Sequence, residues 1–175
     1  MTSNHTAPPS DDRKGHRVFD ARDFRNALGC FCTGVTVITA AAGGRRAGLT
    51  VNSFASVSLN PPLVLWSLHI YSPSMPVFQE ASHFCINVLA ADQGELARHF
   101  AKRSEDKFAG IDWEPGLGGA PKLANVLAQF QCRNSNRYYG GDHVIFLGAV
   151  EEYTYRSGEP LLFNRGAFGS FSGFP

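Results

Sequence analysis

The sequence predicts a single, mainly β domain, an antiparallel barrel or sandwich with peripheral helices. Three observations carry that prediction. Short β-branched or apolar runs recur at residues 33–40, 63–68 and 82–89 and across residues 128–155. Tight-turn signals, Gly43-Gly44 and Tyr139-Gly140-Gly141-Asp142, join neighbouring runs as hairpins. Helical spacing appears in at most three short segments, too few for the strand-helix alternation of a parallel sheet.

Taken in order, residues 1–17 are polar, with Pro8-Pro9 and Asp11-Asp12, and are expected to form a disordered arm; residues 18–175 are expected to form one domain. Asp20 can N-cap a first helix, whose apolar positions Phe24, Ala27, Leu28 and Phe31 fall at helical spacing. Residues 33–40 and the stretch after Gly43-Gly44 form a predicted hairpin. Pro61-Pro62 breaks the ladder before the strand at 63–68. Ser74 is a candidate cap for a short helix in which Pro76 occupies the first turn. Residues 82–89 read as a buried strand, and Asp92 with Glu95 reads as a capping box for a helix through Phe100. Residues 116–121 read as a surface turn, residues 128–155 as paired strands, and Leu161-Leu162-Phe163 as a last strand. The tail, with Phe168, Phe171 and Phe174, is unusually aromatic.

With 175 residues and a net charge of +1, the chain is long enough for a real core and too neutral for nucleic acid or an anionic membrane as main partner. No apolar run reaches membrane-spanning length and the first residues show no secretory signal, so a soluble, cytoplasmic protein is expected. Cys30, Cys32, Cys85 and Cys132 form no CxxC pair and are read as reduced core thiols, with no metal site.

The most informative stretch runs over residues 46–62. As one continuous strand it would place Thr50, Asn52, Phe54, Ser56 and Ser58 on one face and Leu49, Val51, Ser53, Ala55, Val57 and Leu59 on the other. From Ala47 through Gln79 there is no Asp, Glu, Lys or Arg, so the hydroxyl-bearing face is not an ordinary solvated one. Uncharged donors and acceptors on a rigid strand suit a polar, planar ligand; hydroxyls bonded to nearby backbone are the plainer alternative. Walker A, GxGxxG, GxSxG and HExxH motifs are all missing from the sequence. Hydride transfer tolerates that absence, because two bound rings hold the reactivity and the protein only aligns them.

Four motifs in order resemble a known family: Phe24-Arg25-x-Ala27-Leu28-Gly29-x-Phe31-x-Thr33-Gly34-Val35-Thr36-Val37; Thr50-x-Asn52-Ser53-Phe54-x-Ser56-Val57-Ser58-Leu59-x-Pro61-Pro62-Leu63; Phe84-x-Ile86-Asn87-Val88-Leu89; and Gly141-Asp142-His143. Together they resemble the short-chain flavin reductases, FMN-binding split-barrel proteins that include reductase components of two-component flavin-dependent monooxygenases. The resemblance runs from about Phe19 to Phe168. It implies an antiparallel split β-barrel, an NAD(P)H:flavin oxidoreductase using FMN or FAD with NADH or NADPH, and a homodimer that passes reduced flavin to a partner monooxygenase. It also implies that Thr33, Gly34, Val35, Thr36, Thr50, Val51, Asn52, Ser53, Ser56, Val57 and Ser58 cradle the flavin. Ser72 and Ser74 match the phosphate loop; Phe100, Ala101 and Lys107 match a further cofactor segment, and Phe168 the pocket lining. His143 is placed at the nicotinamide. A non-catalytic flavin carrier and a haem-handling barrel are the competing readings, the first disfavoured by Gly141-Asp142-His143. His69, His83 and His99 are given no partner and read as surface or core.

Overall fold

The computed structural model describes residues 10–11, 17–171 and 173. The backbone of β1 (Ser10–Asp11) pairs antiparallel with β2 (Arg17–Val18), so these residues form a short ladder where an irregular arm was expected. The remainder of that arm, and Phe174 of the aromatic tail, lie outside the described residues. Helix α1 (Ala21–Leu28) starts where the sequence put it: the Asp20 carboxylate accepts from the backbone N–H groups of Arg22 and Asp23 at 3.0 and 2.7 Å.

The run expected over 33–40 divides into β3 (Thr33–Gly34) and β4 (Thr36–Ala42). Val35 sits at the break, donating to the Leu161 carbonyl and accepting from the Leu89 N–H. Gly43 and Gly44, both at positive φ (56° and 74°), turn the chain into β5 (Arg45–Val51) as the sequence required. The next elements are β6 (Ala55–Leu59), β7 (Pro62–His69), α2 (Met75–Glu80), β8 (His83–Val88) and α3 (Gly94–Ala101). Then come β9 (Trp113–Pro115), β10 (Pro121–Leu123), β11 (Ala128–Gly140), β12 (His143–Tyr155), β13 (Leu161–Asn164) and β14 (Ala167–Ser170).

Seven strands form one antiparallel sheet in the order β5-β4-β8-β11-β12-β7-β6, and β14-β13-β3 form a smaller sheet. The continuous strand expected over residues 46–60 is therefore not one strand. Its halves, β5 and β6, are the two opposite edges of the large sheet, joined only by Asn52, Ser53 and Phe54. A flat seven-stranded sheet would hold its edges about 29 Å apart, whereas the link from Val51 to Ala55 reaches at most about 14 Å. The sheet must curl until its edges nearly meet. They do not form a ladder with each other; instead the Ser53 hydroxyl accepts from the Ser67 N–H of β7 at 3.0 Å. The result is the antiparallel split barrel that the family resemblance implied.

Trp66 lies at the centre of the barrel core, fully buried, stacked on Phe146 at 4.7 Å and edge-on to Phe78 and Phe84. A second cluster, built on Phe100, Phe108, Leu123 and Leu161, lies beneath α3. Buried Asn87 ties strands together: its amide donates to the Val37 carbonyl and Thr39 hydroxyl and accepts from Leu123 N–H and Gln129.

Four local expectations need correction. Helix α3 has Gln93 at its N-cap with no side-chain cap bond, because the Gln93 amide instead accepts from Ala90 N–H and Glu95 pairs with Arg98. Ser74 precedes α2 without capping it through its hydroxyl, although Pro76 does fall in the first turn. Residues 116–121 are a surface turn only in part: Gly118 (φ 61°, beside His83) and Gly119 are exposed, whereas Ala120 and Pro121 are buried. Cys85 and Cys132 are buried thiols, whereas Cys30 and Cys32 are exposed.

Candidate active site

The seam between the sheet edges opens into a groove of about 600 Å³, with residues 49–53 on one wall and Ser67, His69, Ser72 and His143 on the other. Every side chain contributed by residues 49–53 is uncharged, and Asn52 is exposed there. A second groove of about 940 Å³ adjoins it, since Gly48 and Leu49, like Tyr71 and Ser72, are successive residues that line one each. This second groove is rich in cations: Arg45, Arg46, Arg103 and Lys107, with Ser74 at its wall. Arg46 lies over the Trp113 ring at 5.0 Å, and Arg45 is paired with Glu80 at 2.8 Å. A third cavity, of about 410 Å³ between the β9-β10 ladder and the ends of β11 and β12, lies elsewhere; its Lys122 is spent on Glu114 and its Arg156 on the Asn125 and Val126 carbonyls.

The register of β7 against β12 sets His69 directly opposite His143. Their rings meet edge to face, 5.2 Å between centroids at 85°. Gly141, at φ 62°, turns the β11-β12 hairpin and places Asp142 beside both. The Asp142 carboxylate lies 2.6 Å from His143 Nδ1 and 3.8 Å from His69 Nε2. A carboxylate only accepts, so His143 donates through Nδ1, and in the neutral ring Nε2 is left as an acceptor. The His143 hydrogen bond, and then the neighbouring imidazoles, hold the Asp142 carboxyl below the usual carboxylate range.

The structure brings Thr50, Val51, Asn52, Ser53, Ser72 and His143 together at the first groove, and Ser74 and Lys107 at the second. Besides Ser53, held by Ser67, Ser72, which accepts from the Ser74 N–H, and His143, held by Asp142, two more of these are already engaged. The Thr50 hydroxyl donates to the Ala97 carbonyl at 2.7 Å, docking α3 on β5. Lys107 donates to the Gly48 and Phe100 carbonyls at 3.0 and 2.7 Å, and burial pushes its pKa down, so its ammonium fastens the loop before Phe108.

Other expected site residues do not line either groove. Val35 and Thr36 are buried, the latter's hydroxyl donating to the Val51 carbonyl, and Thr33 and Gly34 pair with β13. Phe100 is wholly within the core, Ala101 ends α3 on the surface, and Phe168 packs on Phe163 and Arg98. Ser56, Val57 and Ser58 sit on edge strand β6, where a bulge shifts the register between Ser56 and Ser58. His69 was missed from sequence, because its partner is 74 positions away and only the strand register brings them together.

A neutral amide-and-hydroxyl wall at the seam of a split antiparallel sheet, facing a carboxylate-held imidazole, defines a protein of the flavin-binding split-barrel class. The chain belongs to the flavin reductase like domain family, whose model matches residues 28–172. It is 50% identical over 153 residues to an FMN reductase (NADH) of Agrobacterium fabrum (strain C58), covering 87% of each chain. It is 41% identical to the reductase subunit of a flavin-dependent monooxygenase from Mycobacterium tuberculosis, covering 85% of this chain and 81% of that protein. Among solved structures it is similar to an NADH:FAD oxidoreductase of Streptomyces globisporus C-1027 in complex with NAD and FAD fragments. That likeness has a TM-score of 0.84 and 39% identity, and covers 94% and 98% of the two chains.

Proposed function

We propose that the chain is an NADH-dependent flavin reductase that binds FMN in the neutral groove, works as a homodimer and supplies reduced flavin to a partner monooxygenase. The observation that carries the reading is the groove itself: the uncharged polar side chains of Asn52, Ser53 and Ser72, with the backbone of residues 50–53, line it together with His143, whose Nδ1 is held by Asp142. The donor set fits a flavin ring, which is polar at its edge and uncharged when oxidised. Flavin and nicotinamide supply the hydride chemistry themselves, while the chain binds, orients and excludes water. Asn52 and the backbone of residues 50–53 would hold the ring edge, and Ser72 and Ser74 the phosphate end. His143 Nε2 would accept from the nicotinamide carboxamide and fix the ring's angle. The relative named FMN reductase (NADH) supports FMN and NADH as the pair. The monooxygenase reductase subunits among its relatives support the partner.

The test is His143→Ala. Flavin affinity should be unchanged, while kcat/KM for NADH falls about ten- to a hundredfold because a misaligned ring transfers hydride poorly. Loss of flavin binding would move His143 to the other ligand's site. Equal activity with FAD and with NADPH would overturn the chosen pair.

A further inference from the structure

We propose that His69 is a positioning residue for the same reaction: packed edge to face on His143, with its Nε2 turned toward Asp142, it keeps the acceptor nitrogen of His143 aimed into the groove. The inference rests on the reading that His143 contacts the nicotinamide.

Three observations carry it. The Tyr71 backbone N–H lies 3.2 Å from His69 Nδ1. An N–H only donates, so that nitrogen accepts and the hydrogen of the neutral His69 ring sits on Nε2. His69 Nε2 is the atom that faces Asp142, at 3.8 Å from Oδ2, while Oδ1 accepts from His143 at 2.6 Å. The two oxygens of one exposed carboxylate thus look toward two imidazoles whose strands are paired at that very position.

The second consequence is steric. Edge-to-face packing at 5.2 Å blocks rotation of the His143 ring toward β7, and the Tyr71 ring lies over the other side of His69 at 5.6 Å. Asp142, His143 and Tyr71 are the titratable groups packed on His69, and no Lys or Arg occurs between Ala47 and Gln79 to compete for the carboxylate. Without His69, the His143 ring loses its edge contact on β7 and the carboxylate loses the imidazole facing its Oδ2, so the His143–Asp142 pair can turn on the hairpin tip. His143 is then released from its Nδ1–H form, and the groove is offered a donor or an acceptor at random.

A pair of variants tests this. His69→Gln keeps an N–H at nearly the reach of Nε2, whereas His69→Leu keeps bulk and loses the donor. His69→Leu should raise KM for NADH about five- to tenfold with kcat changed less than about twofold, and His69→Gln should recover most of the loss. Nitrogen-15 NMR of the imidazoles, in protein without ligand, should show His143 in the Nδ1–H form in the wild type and His69→Gln, and a tautomer mixture in His69→Leu. An unchanged tautomer, or equal KM in both variants, overturns the inference. Should His143→Asn leave KM and kcat at wild-type values, the failure belongs instead to the placing of His143 at the nicotinamide.

Discussion

Asn87 shows how much one buried polar side chain can organise. Its amide is fully buried, and it joins β8 to β4, β10 and β11 through bonds of 2.9–3.2 Å. Asn87→Leu would strand the Leu123 N–H without a partner, at about 1–3 kcal/mol, and take from the Gln129 amide one of its two acceptors. Urea unfolding should show an unfolding free energy lower by that amount at unchanged m, with flavin affinity lost only as the fold is lost. Thiols give a second check at this scale. Burial pushes Cys85 up to about 12 and Cys132 higher still, while Cys30 and Cys32 are exposed. A thiol reagent should therefore titrate Cys30 and Cys32 alone in the native protein, and all four cysteines in denaturant. Acidification tests Asp142. Because its folded value is depressed, the His143 contact contributes above the usual carboxylate range and disappears only as pH falls through that lower value. A carbon-13 titration of the carboxyl should have its midpoint below that of an ordinary aspartate.

Among the elements, the packing of α3 on β5 depends on Gly48. A Cβ there would lie 2.6 Å from the Phe100 ring, and Thr50 and Lys107 fasten the same interface. Gly48→Ala should cost about 1–3 kcal/mol through overpacking, read as a lower Tm. The local elements were largely legible in the sequence. Asp20 announced α1, Gly43-Gly44 and Gly141-Asp142 announced their hairpins, and β-branched runs announced the strands. The errors fall where a residue's role is decided by something distant. Gln93 displaced the expected cap because its amide was drawn to Ala90. The end of the 116–121 turn, Ala120 and Pro121, is buried where a surface turn was expected, its start tied down by Gln131, which accepts from Leu117 N–H at 2.7 Å. Thr50 was recognised as important, but the expected ligand of its hydroxyl gave way to a carbonyl on α3.

For the whole molecule, the sequence carried the fold class and half of the candidate site. It could not show that β5 and β6 are opposite edges, nor that His69 faces His143, because pairing across the sheet leaves no local signature. Helix α1 raises the question of assembly. It has no buried residue, and Phe24, Leu28 and Phe31 are 51%, 58% and 78% exposed, an apolar stripe that a lone subunit leaves to water. Replacing Phe24 with Glu and Leu28 with Lys should convert the proposed homodimer to a monomer in sedimentation at micromolar concentration. A wild-type chain that sediments as a monomer with flavin bound would refute the assembly.

The seam at Asn52-Ser53-Phe54 bears on turnover. A closed barrel carries ladder hydrogen bonds all the way round its wall, which leaves a cargo only the ends as exits. Here the wall has a clasp of three residues, fastened to β7 by one hydroxyl. Undoing that clasp costs the two bonds of the Ser53 hydroxyl and the packing of Phe54 on Phe130, less than a full ladder, so a flavin bound as proposed would have a short way out. Amide exchange at residues 52–54 should outpace that of β5 and β7 and track the rate at which flavin leaves. Ser53→Ala, which removes the fastening, should speed both together. A carrier built to keep its flavin would close that gap; a protein that hands the reduced molecule onward is served by leaving it open.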